Sequence, residues 1–120
     1  MMAVILNGVA QLEYDRDKPL PPHQELYLDK MDQQMDEGIQ LGDELVPQPD
    51  LGQRAQFVAG NLAHAILNDQ ESAASALCTY LANRLPDLKQ VKIDNSSGDI
   101  AIELVFDEDY KKQVPVQFLH

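Results

Sequence analysis

Glu25, Asp29, Asp32 and Asp36 stand at i, i+4, i+7 and i+11 in the first half of the chain. On a helix, that spacing stacks four carboxylates into one ridge. Like charges four residues apart repel by roughly 0.2–0.5 kcal/mol per pair. A ridge of this kind therefore attracts cations. One reading is a docking face for a basic protein partner. Another is a weak site for Mg²⁺ or Ca²⁺, which prefer oxygen ligands. The cation reading is the weaker, because a straight helix sets carboxylates in a line and these ions need converging ligands. The loop glycine and final glutamate of an EF-hand are also missing. The baseline against both is a solvated helix face. The partner-binding assignment is Glu25, Asp29, Asp32 and Asp36, with no metal site and no cofactor expected.

His64 is the second candidate. Asn61 lies three residues before it and Asn68 four after it, so on a helix the three share a flank. That arrangement suits a general base or a pH-sensitive ligand contact oriented by an amide. Tyr80 or Cys78 would be its nearest chemical helpers. No Asp or Glu adjoins His64 on that helix, and the plainer reading is a histidine at a packing boundary. His23 and His120 are too far from any other histidine for a local zinc site. Cys78 sits at the edge of an apolar helical face, and a small buried hydrophobe is the commoner role for such a residue. There is no glycine-rich phosphate loop, nucleophile elbow or HExxH. No catalytic residue is assigned. Tyr27, Met31 and Met35 form a helical stripe that reads as core, or as a soft recognition surface.

The elements that must hold these residues follow from periodicity. Two alanine-rich helices organise the chain. In the first, over Leu51–Asn68, Leu51, Ala55, Val58, Leu62, Ala65 and Ile66 fall on one arc, extended by Ala59, Ala63 and Leu67. Asp50 and Gln53 have capping-box spacing, and Pro49 blocks backward extension. Asn68 or Asp69 would cap the second helix, and Pro86 would end it. So short a link predicts an αα-hairpin. An earlier helix is expected from His23 to about Gly38 or Leu41, with Pro22 near its first position. Gly42, Pro47 and Pro49 then mark a loop. Asn7-Gly8 is a favoured hairpin turn between the runs Ala3–Leu6 and Val9–Tyr14, and one strand over about Val9–Tyr14 is the equal alternative. Lys89–Ile93 and Ile100–Phe106 alternate as strands about the turn at Asn95–Gly98. Val114, Val116 and Phe118 are a further strand candidate, confined to an edge by Pro115.

These elements predict one α+β domain over residues 1–120. An antiparallel sheet of three to four strands would be covered on one face by about three helices, with the αα-hairpin at the centre. The composition agrees with a folded chain: 120 residues and 44% hydrophobic. No apolar run reaches the roughly 18–20 residues that span a bilayer. Met1–Ala10 lacks the basic start of a signal peptide. One cysteine precludes an internal disulfide, so the cytoplasm is the default location.

The net charge is −11, and it is uneven: residues 1–50 hold eleven Asp/Glu against three Lys/Arg. Such a field repels nucleic acid and anionic membranes. The leading expectation is a non-enzymatic cytoplasmic interaction or regulatory module. Its partner would be a protein, basic by charge, or a second copy forming a homodimer. The alternative is a small-molecule binder or small enzyme around His64. A third reading is mimicry of a nucleic acid surface by the carboxylates.

Overall fold

In this computed structural model, residues 2–41 and 43–108 are described. The elements are β1 (Met2–Leu6), β2 (Val9–Tyr14), α1 (Pro22–Asp36), β3 (Ile39–Leu41), β4 (Glu44–Val46), α2 (Leu51–Leu67), α3 (Glu71–Arg84), β5 (Gln90–Asp94) and β6 (Ala101–Val105). The fold is α+β.

Asn7 and Gly8 both take positive φ, 50° and 84°, which closes β1 onto β2 as an antiparallel hairpin. Such φ values are what the Asn-Gly pair supplies at low steric cost. β5 and β6 form a second antiparallel hairpin. The hairpins join through β1 and β5, which run parallel with Val4 opposite Val91 and Leu6 opposite Ile93. The strand order is β2-β1-β5-β6. The sheet is therefore mixed, which corrects the expectation of an antiparallel one. A parallel pair requires a long crossover, and the three helices of the described residues lie in the chain between β1 and β5. Asn7 Oδ1 accepts from the Asn95 backbone N–H at 3.0 Å, tying the two turns together at one end of the sheet.

β1 is buried from Met2 to Ile5, with Leu6 partly buried against the core. Met2, Val4, Val91 and Ile93 share one core with Ala55, Val58, Leu62, Ala74, Tyr80 and Leu81 of α2 and α3. Leu51 stays half exposed at the start of α2, and Ile102 and Phe106 are also partly exposed rather than covered by helices. The loop expected at Asp43 and Glu44 holds a small antiparallel pair, β3 with β4. Gly38 leaves α1 at φ 117°, a conformation other residues rarely adopt, and turns the chain into β3. Gly42 and the strand candidate at Val114–Phe118 lie outside the described residues.

The cap of α2 is as expected. Asp50 Oδ1 accepts the Gln53 N–H at 2.8 Å, and Gln53 Oε1 accepts the Asp50 N–H at 2.9 Å. The cap of α3 differs. Asn68 serves the end of α2 instead, donating through Nδ2 to the His64 carbonyl at 2.8 Å. Gln70 occupies the N-cap of α3 without a side-chain hydrogen bond.

Arg16 closes the other end of α3. Its guanidinium donates to the carbonyls of Ala82 at 3.0 Å, Leu85 at 2.9 Å and Leu88 at 2.5 Å. Carbonyls at a helix end have no intrahelical donor, and a cation is favoured there. Arg16→Ala is expected to lower the unfolding free energy by about 2–4 kcal/mol, because part-buried carbonyls lose a charged donor. Arg16→Lys restores only part of this, since an ammonium cannot fork to three oxygens. Urea unfolding of the two variants checks it. A loss below about 0.5 kcal/mol for the alanine variant would show that the cap contributes little.

Candidate functional site

α1 approaches the α2–α3 pair through its side chains more than through close backbone contact. Leu28 and Met35 are its buried residues. Between them in sequence stands Asp32, which does not join the solvated ridge. Asp32 Oδ1 accepts from Tyr80 Oη at 2.5 Å and from Arg54 Nη1 at 3.1 Å, and Oδ2 accepts from Arg84 Nε at 2.9 Å. The two arginines then reach outward along α1. Arg84 Nη2 donates to Asp29 Oδ1 at 2.8 Å, and Arg54 pairs with Asp36. The Arg84 guanidinium also lies 5.9 Å from the centroid of the Tyr80 ring, within cation–π range.

Three of the four ridge carboxylates are therefore held by arginines of the same chain. Among the described residues, Glu25 has no such partner. Asp29 and Asp36 still expose 55% and 58% of their side chains, against 25% for Asp32. The ridge is a clasp on its inner side and an acidic surface on its outer side.

The ionisation of these groups fits a clasp. Burial works against the charge on Asp32, yet hydrogen bonds from Tyr80, Arg84 and Arg54 outweigh it and hold the carboxyl below its ordinary 3.8. Burial pushes the Tyr80 phenol up, and its bond to Asp32 pushes it further. Burial also raises the Cys78 thiol to about 11, with Arg16 pulling weakly the other way. A general base or nucleophile works best when poised near the operating pH. Each of these three groups is moved away from it.

His64, Asn61 and Asn68 do not line one common cleft among four on the described surface. His64 is exposed on α2, and Asn68 turns back to cap that helix. Neither lines any of these four clefts, while Asn61 lines one of them without the other two. Among the described residues, no three His, Cys, Asp or Glu side chains converge on a metal position. No helix among them is long and apolar enough to cross a membrane.

Two of the clefts flank α1. One, of about 600 Å³, lies between α1 and α3 and is lined by His23, Tyr27, Leu28, Ser75 and Ala76 among others. The other, of about 310 Å³, lies between α1, β3 and α2 and is lined by Met31, Met35, Ile39, Phe57 and Asn61. Tyr27 lines both and is itself 52% exposed.

Comparison with protein-family models, curated proteins and solved structures finds no match for this chain. The functional reading therefore stands on the geometry alone.

Sequence reasoning did not identify Arg54, Arg84 or Tyr80 as the partners of Asp32. Arg54 is in the first turn of α2 and Arg84 is in the last turn of α3. The αα-hairpin expected from the sequence would place those two turns at the same end. That was the available signal.

A carboxyl whose pKa is lowered by folding binds its proton more weakly in the folded chain than in the unfolded one. Its stabilising contribution is complete above about pH 4 and is lost as the pH falls through the folded pKa. Asp32→Asn is expected to cost about 1–3 kcal/mol at neutral pH, below the fully buried case because the group is partly solvated. It is also expected to flatten the fall in stability below about pH 4. Urea unfolding from neutral to acid pH reads both effects. An unchanged acid limb in the variant would mean that other carboxylates govern it.

Proposed function

We propose that the protein is a non-enzymatic interaction module whose partner is a basic protein segment. The observation that carries the reading is the engagement of every arginine in the chain. Arg16 caps α3, and Arg54 and Arg84 clasp α1. The chain has nine Lys and Arg in all against twenty Asp and Glu. The three guanidiniums are engaged within the chain, two of them on ridge carboxylates, and the acidic excess lies in the carboxylates outside those pairs. Glu25, Glu37, Asp43 and Glu44 are all exposed. The α2–α3 pair, read as an αα-hairpin, is the platform, and α1 is the acidic helix laid across it. A reducing cytoplasm suits the single buried thiol of Cys78. A second copy is the less favoured partner, because two chains of net charge −11 repel.

An acidic surface of this kind gives fast, salt-sensitive association. A lysine-rich peptide is expected to bind at low ionic strength. It should lose affinity by about tenfold between roughly 50 and 200 mM salt as the field is screened. Glu25→Gln combined with Glu37→Gln changes exposed groups outside the clasp, and is expected to weaken binding about threefold with stability unchanged. Isothermal titration across salt concentrations checks this. Absence of binding at low salt would refute the proposal.

A further inference from the structure

We infer that the trough along α1 receives one amphipathic cationic helix, whose apolar side chains seat on either side of Tyr27. This rests on the basic-partner reading and names where that partner docks. The trough follows α1 because its α1 lining residues recur at helical spacing: Gln24, Tyr27, Leu28, Met31, Gln34 and Met35. α1 has fifteen residues, which at about 1.5 Å of rise each gives a wall about 22 Å long. That length suits a ligand helix of about four turns.

The opposite wall explains why the trough is open. On α3, Ser72, Ser75, Ala76 and Thr79 share one face at spacings of three and four. Their side chains are short, so a neighbouring backbone can approach closely. Thr79 Oγ1 donates to the Ser75 carbonyl at 2.8 Å, so an apolar side chain laid there does not strand that hydroxyl. At the other end, Met31, Met35 and Phe57 offer unbranched or aromatic surface that can repack around different shapes. The helix-in-groove mode needs anchors at i, i+3 or i+4, and i+7, and the two clefts divided by Tyr27 supply seats at that interval.

Charge selects the occupant. The lining of the two clefts includes Glu71 and no Lys or Arg. Exposed Glu37 adjoins Gly38 of the second cleft, whereas Asp29 and Asp36 stand on the flank of α1 away from the trough and are paired with Arg84 and Arg54; Lys30 is the only Lys or Arg of α1. A helix lying in the trough would hold its apolar face against Tyr27 and the methionines while its polar face met an acidic surround. A cationic polar face is attracted to that surround. A second copy of this chain, or any anionic helix, is repelled. Charge then sets the association rate, and the anchors set the lifetime of the complex.

The test uses the whole chain and two synthetic peptides of about sixteen residues, or four turns. They have equal lysine content. One carries Leu or Phe at four positions of one helical face, and the other carries Gln at those positions. The anchored peptide is expected to bind at least about tenfold more tightly. Its amide shift changes should centre on Tyr27, Met31, Ser75 and Ala76. Ser75→Gln, a larger neutral side chain at an exposed position on the wall, is expected to reduce that affinity about tenfold and to leave the anchor-free peptide unaffected. Tyr27→Ala is the second variant and should also act on the anchored peptide alone. Equal binding of the two peptides, insensitive to both variants, would overturn the trough and leave the acidic-surface reading in place. Failure of both peptides to bind at low salt would overturn both.

Discussion

The carboxylate of Asp32 is the constraint on which the molecule depends. It receives a phenol and two guanidiniums from two other helices, and each donor comes from far along the chain. Arg54 is 22 positions away, Tyr80 is 48 and Arg84 is 52. An Arg–Asp contact at a surface contributes little. This one is a network, and a partly enclosed one, in which removing one member leaves the others misplaced. The clasp lets α1 stand off from the α2–α3 pair while remaining attached. The clefts on its flank follow from that stand-off. If α1 packed as closely as α2 packs on α3, Tyr27 and Met31 would be core residues.

The same constraint shapes the outer electrostatics. An acidic helix crossing an otherwise charge-balanced platform would ordinarily gather surface cations. Here its inner edge has captured Arg54 and Arg84, and Arg16 is committed to the end of α3. Neutralisation is thus internal and one-sided. Asp29 and Asp36 have one flank against a guanidinium and the other toward water. The acidic exterior and the clefts beside α1 are two outcomes of one arrangement, and the proposed cationic, amphipathic partner would meet both.

Much of the local structure was legible because local rules control it. The capping box at Asp50 and Gln53, the Asn7-Gly8 turn, the extent of α2 and the stop before Pro86 all rest on residues within four positions of one another. What escaped was non-local or too short. The parallel pairing of β1 with β5 joins residues 3–6 to residues 90–93, and no property of either strand announces its partner. β3 and β4 have three residues each, below the length at which alternation can be distinguished from chance. The acidic ridge was correctly placed on a helix. Its inward partners were not, because periodicity shows which residues share a face and not what that face meets. Tyr27, Met31 and Met35 carried both a core and a recognition reading. The structure divides them: Met35 is buried, Met31 is half-buried and Tyr27 is half exposed.

The most direct measurement is native-state hydrogen exchange on the Asp32→Asn chain, read amide by amide. If the carboxylate is what fastens α1, the amides of residues 25–36 lose protection by about tenfold or more while those of β1, β5 and α2 keep theirs. Protection of α1 unchanged from the parent chain, or lost equally across every element, would contradict the account.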